Sequence, residues 1–440
     1  MNNKGIIITL SVTLGVTLLG VMIALIVFIV TTNTYATQLE NMYKRNYYEL
    51  SSNINDIEVD MSKLIATNST PTKREVLTNI YSNCTMANNN LSMLPISNNK
   101  IKDVNDYINK LGGYVYSLLT KVNNNEDFSD YDYEKINELH TESQKLKVAY
   151  NNHIASLKFD YKILSDVDFD NGDKSSFDAG LISSDNSKVP TLIYDGPFAD
   201  SVINKEIKGL GDNTVSMEDA YDIVAQQLKL LDVETIEYVG ESNGDFYTYN
   251  FNVKADNRTL YVQVSKTGGK IVDITGYSNG KGEKYDINQC INMAEVFATE
   301  LGYESMHQVW YAENGNIVYI NLAPIINKVI YYPDLVKVKV DKSAGVIALE
   351  GKNYWYNHIE RSLGNYQITF DDAQNNLSPA LRVIERNFAL IPNKFSGETL
   401  TYEFICKWQD YTYYVYVDVR TGEEVNIMRV IKTNAGDLII

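Results

Sequence analysis

The chain of 440 residues is long enough for roughly two to four domains, and at 44% hydrophobic and 22% charged it is globular rather than disordered. A formal net charge of −17 speaks against nucleic acid, whose phosphates call for clustered Lys and Arg. Cys84, Cys290 and Cys406 stand far apart with no Cys-x-x-Cys pair, which argues against a disulfide framework or a zinc centre and reads as small buried apolar residues.

Residues 6–30 form an uncharged apolar run. A helix of that length crosses a hydrocarbon core of about 30 Å, and it exceeds the apolar region of a cleaved signal peptide. It reads as a retained signal anchor with a short tip, residues 1–33, and with the bulk of the chain carried outward. Residues 34–165 show apolar residues at helical spacing, such as Leu39, Met42, Tyr43, Tyr47 and Leu50. Breaks rich in Asn, Pro, Ser or Asp at 68–71, 94–100 and 122–129 leave four helices, at 37–66, 72–93, 104–121 and 131–156. Residues 166–212 read as a joint, with an ordered segment at Leu192-Ile-Tyr-Asp-Gly-Pro-Phe198.

From residue 213 a unit recurs every ~70–80 residues, giving repeats at 213–280, 281–364 and 365–440. Each opens on a helix, with starts near Ala220, Cys290 and Ala373; Ser216 and Asp219 match a capping box. In the third, Leu377, Leu381 and Ile384 extend the helical face, with a kink or restart at Pro379. Alternating strands follow, and each ends in a turn at Gly269, Gly345 or Gly422. An insertion near 323–332 sets the second unit apart. Its strand alternates Val336, Val338 and Val340 with Lys337 and Lys339, so Val338 should face the core and Lys337 an ordinary solvated face. One amphipathic helix on an antiparallel meander predicts a two-layer α+β module.

Catalytic patterns are missing from the sequence. Its histidines are His140, His153, His307 and His358, with no His-Glu-x-x-His, no Gly-x-Ser-x-Gly elbow and no phosphate loop. The acidic pairs Asp371-Asp372 and Glu423-Glu424 read as capping and solvated groups rather than a carboxylate dyad. His358 and Arg361 read either as a partner contact or as a structural cap on the second unit.

The strand pairs ending in Val-Asp-x-x-Thr-Gly-x-x-Val, as at Val417–Val425, resemble the PepSY domain of thermolysin-type propeptides. Leu192–Phe198, Val329-Ile-Tyr-Tyr-Pro-Asp-Leu-Val-Lys-Val-Lys-Val340 and Asn353-Tyr-Trp-Tyr-Asn-His-Ile-Glu-Arg361 extend the likeness. So do the helical segments at 43–50 and 90–97. Together the ordered set resembles the YpeB-type spore-germination family: an anchor, a helical domain and tandem PepSY units. Cys290, where the helix usually carries Ala, and Pro379 depart from the pattern. The resemblance implies a single-pass protein of the spore inner membrane, with no cofactor, metal or reaction of its own. It also implies a partner, the cortex-lytic hydrolase SleB, which the protein would regulate or stabilise; an exposed sheet edge offers one mode of docking. Candidate partner-contact or signature residues are Tyr332, Pro333, Asp334, Lys337, Lys339, Tyr354, His358 and Arg361. The competing expectation is an extracytoplasmic sensor whose helical bundle binds a ligand.

Overall fold

The computed structural model describes residues 3–94, 98–156, 207–244, 246–364, 366–393, 397–433 and 436–439. The motif at 192–198 and most of the expected joint lie outside these residues. The chain divides into two compact units, Met1–Leu64 with Arg74–Val189, and Ile65–Lys73 with Pro190–Ile440.

The first unit is helical. The apolar run and the first expected helix are one element, α1 (Asn3–Ala66). Nothing between residues 30 and 37 breaks it: no Gly or Pro intervenes, and the Thr34 and Thr37 hydroxyls donate back to the carbonyls of Val30 and Asn33, each at 2.9 Å. From Val12 to Val30 its large apolar side chains are all exposed, so this stretch is a candidate single-pass membrane anchor. α2 (Thr70–Ser92), α3 (Asn98–Asn123) and α4 (Asp130–Ser156) complete the expected set. Leu50, Ile54, Leu77, Ile80, Ile108, Leu111, Val115 and Ile136 are buried in this unit. So is Glu58, which sits 2.8 Å from Lys147 Nζ and 3.2 Å from His140 Nε2, so its charge is paired rather than orphaned.

The second unit is α+β. α5 (Met217–Gln227), α6 (Ile287–Glu300) and α8 (Phe370–Asn375) each begin on a complete capping box, from Ser216 and Asp219, Asp286 and Gln289, and Thr369 and Asp372. α7 (Lys352–Asn357) lies between the last two. α5 is followed by β1 (Val233–Asn243), β2 (Tyr247–Ala255), β3 (Arg258–Ser265) and β4 (Ile271–Ser278). After α6 come β5 (Met306–Asn314), β6 (Ile317–Ile326), the short β7 (Val329–Tyr331), β8 (Val336–Asp341) and β9 (Gly345–Glu350). After α8 come β10 (Arg382–Pro392), β11 (Glu398–Trp408), β12 (Tyr411–Asp418), β13 (Glu424–Thr433) and β14 (Gly436–Ile439). The repeat glycines occupy equivalent left-handed turns, with φ of 57° at Gly269, 93° at Gly345 and 74° at Gly422.

Two expectations are corrected. The strand directly after each helix (β1, β5, β10) was not anticipated. The third helix stops at Asn375, and Ile384, placed on its face by spacing, lies in β10; Pro379 ends the helical stretch instead of kinking it.

The strands form one 14-stranded sheet rather than separate modules. β4 pairs with β9 through Asp273 and Ile274, which joins the first two meanders edge to edge. The insertion near 323–332 supplies β7, which pairs with β6 and runs parallel to β10, with Val329, Ile330 and Tyr331 opposite Phe388, Ala389 and Leu390. α5 and α6 share one core with both meanders, including Val224, Phe251, Val262, Phe297, Val338 and Leu349. Cys290 is fully buried there, so its departure from Ala is absorbed by packing. The last meander has its own core of Ala373, Phe404, Tyr413, Val415 and Val417, to which Ala66 is added.

Candidate interaction site

The signature residues gather where the second meander meets the third. β7 ends in a tight turn at Tyr332–Asp334, whose Pro333 fixes φ and needs no donor partner. Tyr332, Pro333 and Asp334 are all buried. Arg361 grips Asp334 with two guanidinium nitrogens at 2.9 and 2.7 Å, and holds Glu398 of β11 with two more contacts at 2.8 and 2.7 Å. It also donates to the carbonyl of Asn357 at 2.9 Å. Burial works against the guanidinium charge, but the hydrogen bonds it donates to Glu398 and Asp334 outweigh it and push the pKa up. His358 Nδ1 lies 2.8 Å from Asp334, and its ring stacks on Tyr354 at 4.3 Å. Burial raises the Tyr354 hydroxyl to about 12. Asn357 donates to the carbonyl of Pro333 at 2.8 Å.

Tyr332 turns the other way. Its hydroxyl donates to Glu403 of β11 at 2.7 Å, and Asn387 donates to the same carboxylate at 3.2 Å. Burial pushes the Glu403 pKa up. Tyr332, Asp334 and Arg361 therefore bind the turn to β11 at two points. Tyr354 is 1% exposed and Tyr332 2%, so a docking protein cannot reach them without opening the fold. Of the two readings, partner contact or structural signature, the burial and internal hydrogen bonds of Tyr332, Pro333, Asp334 and Tyr354 favour the second.

Lys337 and Lys339 lie elsewhere, on the sheet face opposite the helices. Strand register puts Lys337 across from Glu350, and Glu350 across from Asp273. Tyr261 and Tyr277 continue this face and are 37% and 60% exposed. Lys339 reaches Glu350 at 3.4 Å and Lys337 at 4.0 Å. Val338 faces the core as expected, at 1% exposure. Lys337 is not an ordinary solvated residue, because its side chain is only 17% exposed. Changing Lys337 to Glu places like charges together on a half-covered face and is expected to cost about 1 kcal/mol. Equilibrium urea unfolding of wild type and variant measures it, and superimposable curves would show that the ion pair contributes nothing.

The β1 edge of the sheet is guarded. β1 is an end strand, but register shifts at Val233/Thr235 and Tyr238/Gly240 interrupt its ladder, and Glu234, Glu237 and Glu241 line it. Bulges and charges of this kind oppose strand addition at β1.

One site escaped the sequence. Glu424, read there as solvated, is 6% exposed. Its carboxylate accepts hydrogen bonds from the Thr67 hydroxyl and the Asn68 amide, and its carbonyl accepts from Ser69 and Thr72. The Ser378 hydroxyl donates to the carbonyl of Ile65 at 2.9 Å. Residues 65–73 are thereby clasped to the last meander. An acid beside a turn glycine gives no sign of such a distant partner. Among the described residues, no group of three or more His, Cys, Asp or Glu side chains is placed to hold a metal.

Comparison with known proteins adds a lineage. Residues 167–364 match the family model described as YpeB sporulation, PepSY1 and PepSY2 domains, and residues 31–157 match the YpeB N-terminal model. A sporulation protein YpeB from Halalkalibacterium halodurans is 26% identical over 407 residues, covering 89% of this chain and 90% of the relative. One from Bacillus subtilis is 23% identical over 404 residues, with 88% and 89% covered. Among solved structures, the Bacillus megaterium YpeB C-terminal domain aligns over 50% of this chain and all of its own, at 24% identity and a TM-score of 0.45.

Proposed function

The chain belongs to the YpeB family of sporulation proteins, and from that membership we propose that it is a non-enzymatic, membrane-anchored regulator that stabilises a cortex-lytic hydrolase of the SleB kind during spore germination. Its place is the inner membrane of the spore, with the helical and sheet units outside the cytoplasm. The observation that carries this reading is the form of the sheet unit. Helices cover one face, and the other carries Tyr261, Tyr277 and the Lys337–Glu350–Asp273 row. Amphipathic tyrosines and paired charges suit a protein partner. We read residues 365–440 as a third PepSY-like unit, because they repeat the capping box, the four-strand order and the turn glycine of the first two. The exposed apolar half of α1 supports anchoring.

A partner that binds only the folded state protects it from proteolysis by mass action. Deleting the gene should therefore deplete the hydrolase from spores while leaving its transcript level unchanged. Quantitative immunoblotting beside transcript measurement tests this, and unaltered hydrolase protein would refute it.

A further inference from the structure

The helical unit contains a feature that regulation of a hydrolase does not use. α2 and α3 part to leave a cleft of about 320 Å³. Tyr81 and Tyr116 flank it with ring centroids 5.6 Å apart, and both rings are exposed. Cys84, Asn88, Asn109 and the pair Gly112-Gly113 contribute to its lining, and among the described residues no lining side chain carries a charge. In a chain that is 22% charged, such a lining suits a neutral ligand better than a strongly ionic one.

Two details point to an occupant. Adjacent glycines inside a helix weaken it, so each calls for a reason. At Gly112 a Cβ would sit 3.4 Å from Cys84, an ordinary contact against α2. Gly113 has no such neighbour, since nothing lies within 4 Å of its would-be Cβ. Its missing side chain leaves room in the cleft. The second detail is a directional chain of amides. Asn88 donates to Asn109 at 2.8 Å, and Asn109 donates to Asn105 at 3.1 Å. The chain leaves Asn88 Oδ1 buried and without a hydrogen-bond partner, an unsatisfied acceptor behind the cleft wall.

We propose that this cleft binds an uncharged hydroxylated ring of the saccharide class, its face against Tyr81 and Tyr116 and its hydroxyls against the Asn88 and Asn109 amides of the wall. Hydroxyl groups both donate and accept, as the side-chain amides do, and a sugar ring presents C–H groups to an aromatic face. A purely aromatic ligand would leave the amides unused. The site stands independently of the hydrolase reading, and either can fail alone.

The full chain in detergent micelles is titrated by calorimetry with cellobiose and with N,N′-diacetylchitobiose, and with benzyl alcohol as the aromatic arm. Saturable binding of at least one saccharide is expected, weakened about tenfold or more by Tyr116→Ala and by Gly113→Ala. Alanine favours the helix over glycine, so Gly113→Ala should hold or raise the melting temperature while blocking the cleft. That pairing separates loss of a site from loss of the fold. No saturable heat from either saccharide up to about 10 mM would overturn the proposal. So would saccharide binding indifferent to both variants, or saturation by benzyl alcohol alone.

Discussion

Replacing Arg361 by alanine is expected to destabilise the sheet unit by about 3–5 kcal/mol, one of the largest effects of any single change in it. The loss would come less from missing attraction than from what stays behind. Asp334 is 1% exposed and Glu398 is part-buried, and both carboxyls would lose the donors that satisfy them. His358 would still face Asp334 but cannot reproduce two parallel N–H bonds. Arg361→Lys keeps the charge and loses the fork, so it should fall between wild type and alanine. All three tryptophans, Trp310, Trp355 and Trp408, lie in the sheet unit, so fluorescence-detected urea unfolding of the full chain in detergent reports on this unit. The double variant Asp334→Ala/Arg361→Ala should lose much less than the sum of the single losses, because the most buried carboxylate is then no longer left without its fork. A loss below about 1 kcal/mol for Arg361→Ala would class the cluster with ordinary surface pairs.

This cluster also marks how far the sequence could be read. Asp334, His358 and Arg361 stand in two neighbouring motifs, and their juxtaposition was within reach of local reasoning. Glu398 and Glu403 were not, because they approach only when β10 and β11 dock on β7. The same limit explains the missed strands. β1 is a bulged, acidic end strand whose alternation is diluted by Glu234, Glu237 and Glu241. In β10, Ile384 falls at helical spacing from Leu377 and Leu381, and periodicity alone could not separate a short helix and a strand from one kinked helix. What the sequence does carry is local: capping boxes, turn glycines with positive φ, and the Val336–Val340 alternation against a helix. Contacts across the repeats, including the parallel β7–β10 pair supplied by the insertion, depend on long-range pairing with no local signature.

Glu424 should make the stability of the sheet unit depend on pH in the neutral range. Burial, opposed by hydrogen bonds from Thr67, Asn68 and Thr72 and by the charge of Lys73, raises its pKa from 4.5 to about 7. The folded state thus holds this proton more tightly than the unfolded chain does. Its favourable contribution is complete below pH 4.5 and is lost as the pH rises to 7 and above. The shift corresponds to about 3 kcal/mol, with most of the change between pH 5 and 7. Glutamine at this position keeps an acceptor for the Thr67 hydroxyl and removes the titration. Glu424→Gln is therefore expected to gain stability relative to wild type as pH rises from 4.5 to 8, with the gap levelling off above pH 7. Tryptophan-detected urea unfolding at a series of pH values measures that difference. Parallel curves for the two proteins would show that the carboxyl titrates as an ordinary glutamate. The clasp on residues 65–73 would then hold a charge at every pH of this range, supported by its donors and by Lys73 alone.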